Sequence, residues 1–110
     1  MHNHAVEIQL HIRVKPERRA EFDAFLQEAV PYYEELSGVF VRLIERKEEP
    51  GRLIEVVEYM TREAYEADKV RMETDSKMKG LLARWRGLLD GPPEVRVYED
   101  VMPRLWRIPY

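Results

Sequence analysis

Residues 6–14 alternate strictly: Val6, Ile8, Leu10, Ile12 and Val14 are apolar, and Glu7, Gln9, His11 and Arg13 between them are polar. Successive side chains of a strand point to opposite faces, so this spacing predicts a strand with one face for a core and one polar face. The period then changes. Lys15-Pro16-Glu17 opens a helix, because proline in a first turn sacrifices no hydrogen bond and an acid suits the positive helix end. Phe22, Phe25, Leu26, Ala29, Tyr33 and Leu36 recur at helical spacing and form its buried stripe. Pro31 falls inside that stripe and, lacking an amide, predicts a kink or a separate final turn. Ser37-Gly38 closes the element.

Val39 to Arg46 and Arg52 to Met60 read as two strands around Glu48-Glu49-Pro50-Gly51, a hairpin. Thr61 can cap the next helix, which carries Ala64, Tyr65 and Met72. The pattern pauses at Thr74-Asp75-Ser76, where Asp75 or Ser76 can restart it. Met78, Leu81, Leu82, Trp85, Leu88 and Leu89 then form a strong stripe, which Gly91-Pro92-Pro93 stops before a last strand from Glu94 to Val101. The order is β-α-β-β-α-β. Two split βαβ units with right-handed crossovers predict an α+β ferredoxin-like plait, antiparallel, with strand order 4-1-3-2. The 110 residues are expected to form one domain, with a core over 5–101 and a C-terminal tail over 102–110.

Composition narrows the function. The net charge of −3 argues against nucleic acid, which needs a concentrated basic surface. With no cysteine, thiolate chemistry and sulfur-ligated metals are excluded. No apolar run is long enough for a membrane span and the start has no signal-peptide pattern, so the expected compartment is the cytoplasm. His2, His4 and His11 lack the spacing of a metal site, and none is expected.

The helices of such a plait cover one sheet face. Phe40, Ile44 and Tyr98 are expected on the other, where they are too apolar for open solvent. The tail Pro103-Arg104-Leu105-Trp106-Arg107-Ile108-Pro109-Tyr110 is also rich in large apolar side chains, each costing about 1.5–3 kcal/mol if left in water. Together they predict a homodimer whose sheets pack face to face, with the tail gripping the partner.

The chain resembles the dimeric α/β-barrel superfamily, in its antibiotic-biosynthesis-monooxygenase-like branch, over nearly all of residues 5–101. The resemblance rests on Val14-Lys15-Pro16-Glu17, Phe22 and Phe25, Pro31, and Leu36-Ser37-Gly38-Val39. It continues through Glu55-Val56-Val57-Glu58-Tyr59, Thr61-Arg62-Glu63-Ala64 and Leu88-Leu89-Asp90-Gly91-Pro92-Pro93. It implies a pairing of two plaits into one barrel, in a family whose members include cofactor-free oxygenases acting on polycyclic aromatics, haem-degrading enzymes and many proteins of unknown activity. Tyr59 stands where the family often has tryptophan and Asp68 where it often has histidine. No histidine follows His11, so the haem-ligating helical histidine is missing and haem degradation is not expected.

The same resemblance implies a ligand pocket between sheet and helices bearing Tyr59, Tyr65, Asp68, Met72 and Trp85, which would suit a flat hydrophobic molecule. Aromatic and methionine side chains at helical spacing are equally the material of an ordinary core. His11, on the polar face of the first strand, would point between the two sheets near Arg42 and Tyr98, as a general base or as a structural hydrogen-bonding group. Glu55 and Glu58 fall on opposite faces of their strand and form no acid–base couple; one is expected to pair with Arg42 or Arg96. The expected ligand-contacting residues are therefore His11, Arg42, Tyr59, Tyr65, Asp68 and Trp85, with no catalytic residue assigned. Two functions follow: a monooxygenase-like protein binding a small aromatic or polyketide-like molecule without a tightly bound cofactor, or a non-catalytic module that binds a small ligand or merely dimerises.

Overall fold

The structure, a computed structural model, describes residues 5–102. His2, His4 and the tail 103–110, to which a partner-gripping role was assigned, lie outside the described residues. Strand β1 spans Val6–Arg13 and leads through a single 3-10 turn, Pro16–Arg18, into helix α1, Arg19–Tyr33. The hairpin is β2, Val39–Glu45, and β3, Arg52–Tyr59. Helices α2, Arg62–Thr74, and α3, Ser76–Leu88, precede the last strand β4, Glu94–Glu99. The sheet order β2-β3-β1-β4 is that of a ferredoxin-like plait, with every pair antiparallel.

All four strands end one or two residues short of the sequence expectation, β1 at Arg13 instead of Val14 and β3 at Tyr59 instead of Met60. β2 stops at Glu45 instead of Arg46, and β4 at Glu99 instead of Val101. The second helical region is two helices. Asp75 is extended between them (φ −89°, ψ 117°), and its carboxylate accepts from Met78 N at 3.2 Å to start α3. Thr61 does the same for α2, accepting from Ala64 N at 3.1 Å. Pro31 lies in the last turn of α1, which ends at Tyr33.

The even-numbered face of β1 meets the helices. Ile12 and Val14 join Phe22, Phe25, Ala29 and Tyr33 of α1, Leu53 of β3, and Met78, Leu81, Trp85 and Leu88 of α3 in the main core. Each valine, leucine, isoleucine, methionine and phenylalanine among them contributes about 1.5–3 kcal/mol by leaving water. A smaller cluster of Val6, Val39, Tyr59 and Ala64, with Tyr65 against it, fills the other end under α2.

Register fixes what each face carries. On the helix side the rows across β2-β3-β1-β4 are Val39–Tyr59–Val6–Glu99, Val41–Val57–Ile8–Val97 and Leu43–Glu55–Leu10–Val95. Among the described residues the middle of the last strand is left open: Val95 and Val97 are 55% and 52% exposed. The opposite face carries Phe40–Glu58–Glu7–Tyr98, Arg42–Val56–Gln9–Arg96 and Ile44–Ile54–His11–Glu94. Phe40, Ile44 and Tyr98 lie on this open face, 53%, 43% and 44% exposed.

Candidate functional site

The six residues singled out from the sequence divide between the two faces of the sheet. Tyr59, Tyr65, Asp68 and Trp85 are on the helix side; His11 and Arg42 are on the open face. Alternation in β1 and β3 dictates this, because Tyr59 pairs with Val6 while His11 has the opposite parity.

Tyr59, Tyr65 and Asp68 come together where α2 crosses the end of β3. The Tyr59 ring meets Tyr65 edge-on, with centroids 5.3 Å apart. Its hydroxyl donates to Asp68 Oδ2 at 2.5 Å. Burial and that carboxylate acceptor hold the phenol's pKa well above its ordinary value, so Tyr59 is neutral near pH 7 and positions groups instead of taking protons. The other oxygen of Asp68 receives Arg71, with Nε at 3.1 Å and a second nitrogen at 3.0 Å. The same guanidinium donates to the carbonyls of Tyr32 and Tyr33 at 3.0 and 2.7 Å, satisfying the C-terminal end of α1. Asp68 is thus buried as one member of a neutralised pair that ties β3, α2 and α1 together.

Trp85 lies apart from this group, in the main core. Its indole N–H donates to Glu55 Oε1 at 3.1 Å. Glu55 is 3% exposed, and burial raises its pKa to about 7 against the lowering effect of that hydrogen bond. Sequence reasoning gave neither Glu55 nor Arg71 a functional part. Glu55 shares its parity with Leu53, Val57 and Tyr59, which was the available signal, but Ile54 and Val56 make the other face of β3 equally apolar.

On the open face His11 stands between Ile54 and Glu94, and its Nε2 lies 3.1 Å from Gln9 Oε1. It is not beside Arg42 or Tyr98, as the sequence had suggested. Tyr98 pairs with Glu7, four residues along β1 and roughly 13 Å away at strand rise. Arg42 is on β2, with its Nε 2.8 Å from Glu58 Oε1, the expected cross-strand pairing. A cleft of about 720 Å³ opens beside His11 at the end of the open face. Among the described residues no cluster of metal-ligating side chains occurs, and no helix is long and apolar enough to cross a membrane.

The helix side offers a buried core under α1 and α3 and, among the described residues, an exposed apolar strip of Val95 and Val97 with half-buried Ile8 and Leu10 toward the edge strand. Arg62 of α2 pairs with Glu99 at the end of that strip. Tyr59 is 2% exposed and closed off from solvent, and Tyr65 beside it is half-buried.

No family model matches the sequence, and no curated protein matches it. Solved structures do. A protein from Bordetella bronchiseptica, provisionally assigned as an antibiotic biosynthesis monooxygenase, is 25% identical with a TM-score of 0.64, over 90% of this chain and 99% of that one. One from Caulobacter crescentus, assigned in the same provisional way, is 20% identical with a TM-score of 0.75, over 91% and 92%. SnoaB, a cofactor-independent oxygenase from Streptomyces nogalater solved as a variant, is 10% identical with a TM-score of 0.70, over 93% and 97%. The chain therefore has the ferredoxin-like fold of the antibiotic-biosynthesis-monooxygenase-like proteins.

Proposed function

We propose that the protein is a monooxygenase-like protein that binds a small, flat, aromatic or polyketide-like molecule without a tightly bound cofactor, and that it works as a homodimer joined through its open sheet face. The observation that carries the ligand reading is the exposed strip of Val95 and Val97 on the helix side of the sheet, with half-buried Ile8 and Leu10 on the neighbouring strand. Apolar surface of this kind, next to a few fixed polar groups, is what a small-molecule site requires. The exposed Phe40, Ile44 and Tyr98 support the dimer.

Oxygenation without a cofactor balances when the substrate supplies the electrons. A phenol such as 1-naphthol would lose two hydrogens as it becomes 1,4-naphthoquinone; dioxygen gives one atom to the ring and leaves the other in water. In this reading the half-buried Tyr65, braced edge-on by buried Tyr59, positions the ring.

The pairing of Asp68 with Arg71 and Tyr59 favours a second reading, a non-catalytic ligand-binding or purely dimerising module, because no free base remains in that group. Titration with 1-naphthol, followed by the methyl signals of Val95 and Val97 and by oxygen uptake, separates the two. Binding with uptake, both reduced in Val97→Arg, supports the oxygenase. Binding without uptake moves the assignment to the module, and no binding at millimolar 1-naphthol overturns the helix-side site.

A further inference from the structure

The open face of the sheet ends in three arginines from three successive strands. Register places Arg13 of β1 directly opposite Arg52 of β3. Arg46, just beyond β2, donates its backbone N–H to the Arg52 carbonyl at 2.9 Å and so continues the same row. Like charges set opposite one another weaken a sheet unless something sits between them. The row above is Ile44–Ile54–His11. These six residues line the cleft of about 720 Å³, which thus has an apolar floor, a histidine and a guanidinium rim.

The carboxylates around the cleft do not match its three arginines: one acid, Glu49, serves both Arg46 and Arg52. Glu45 is held by Arg19 at 2.6 Å and by the Gly51 amide at 2.9 Å, and Glu94 by Arg96 at 2.5 Å. Those partners keep both acids below the ordinary carboxylate range, and neither Arg19 nor Arg96 lines the cleft. Glu49 is shared, 2.7 Å from Arg52 and 3.6 Å from Arg46. Arg13 enters no ion pair among the described residues; Asp90, whose amide donates to the Arg13 carbonyl at 2.7 Å, is the remaining acid at the rim.

We infer that this end of the open face is a second binding site, for a small organic carboxylate whose head pairs with Arg13 and Arg52 and whose apolar body lies on Ile44 and Ile54 beside His11. Guanidinium forks match carboxylate oxygens two at a time, and two isoleucines add apolar area that a bare inorganic anion cannot use. The site is separate from the helix-side strip and stands whether or not that strip binds anything. A second sheet packed over this face would enclose the arginines and increase their need for a counter-ion.

Benzoate, benzyl alcohol and inorganic phosphate, each titrated into the intact protein and followed by amide chemical shifts, test the inference. Benzoate is expected to saturate with shifts centred on His11, Arg13 and Ile54, and to bind at least tenfold more tightly than benzyl alcohol or phosphate. Arg13→Gln and Arg46→Gln are each expected to weaken benzoate at least fivefold with the fold intact by circular dichroism, whereas Lys79→Gln, on the far surface of α3, leaves it unchanged. Phosphate binding as tightly as benzoate, benzoate shifts confined to Val95 and Val97, or equal affinity in the arginine variants would overturn it.

Discussion

The indole N–H of Trp85 donates to a Glu55 carboxyl oxygen that the core has almost wholly removed from water, at 3.1 Å. Leu10 and Leu43 flank Glu55 on the neighbouring strands, so burial dominates and raises its pKa from 4.5 to about 7. A raised carboxyl binds its proton more tightly in the folded chain than in the unfolded one. The stability it confers is therefore full below about pH 4.5 and is lost as pH rises through 7. The ceiling for such a displacement is roughly 3 kcal/mol. Glu55→Gln, which keeps an acceptor for Trp85, is expected to melt higher than the parent at pH 8 and close to it at pH 5, by calorimetry at both values. A parent and variant that differ equally at the two pH values would refute this.

Removing a member of the Asp68 group should cost stability in proportion to what is left unpaired. Asp68→Ala leaves the Arg71 guanidinium, 16% exposed, with its two carbonyl acceptors but no counter-charge, and is expected to cost about 3 kcal/mol. Tyr59→Phe removes one hydrogen bond while Arg71 still serves Asp68, and is expected to cost about 1 kcal/mol. Urea denaturation of both single variants and the double variant gives the coupling between them.

Glycine at the hairpin turn is required on two counts. Gly51 has φ +91°, and a Cβ there would stand 2.7 Å from the Val14 carbonyl oxygen. Gly91 has a similar φ of +90° with open space around it. Gly91→Ala is therefore expected to cost about 1 kcal/mol from backbone conformation alone, and Gly51→Ala clearly more, as compared by thermal melts.

The proposed dimer should fail when its apolar face is charged. Phe40→Glu and Ile44→Lys alter exposed side chains of β2 and should leave the monomer folded. Light scattering on a sizing column is expected to give the mass of two chains for the parent and of one for each variant. A monomeric parent at micromolar concentration would remove the dimer from the functional reading.

Much of this architecture was legible along the chain because it is written in local periods. The alternation of Val6 to Val14, the stripes of α1 and α3, the Thr61 cap and the pause at Asp75 each depend on neighbours a few residues away. Parity alone assigned Glu55 and Glu58 to opposite faces, and it put Phe40 and Ile44 on the uncovered one. What the sequence could not determine was which residues meet across strands. The offset between β1 and β4 places Glu94 beside His11 and removes Tyr98 to the far end. The register of β1 on β3 sets Arg13 against Arg52. Arg71 reaches the end of α1 only because α2 crosses there, and Glu55 is buried only because α3 lays Trp85 over it. Pairing register and helix crossing are set by the packing of the whole core, so the site chemistry they create was decided by the tertiary structure alone.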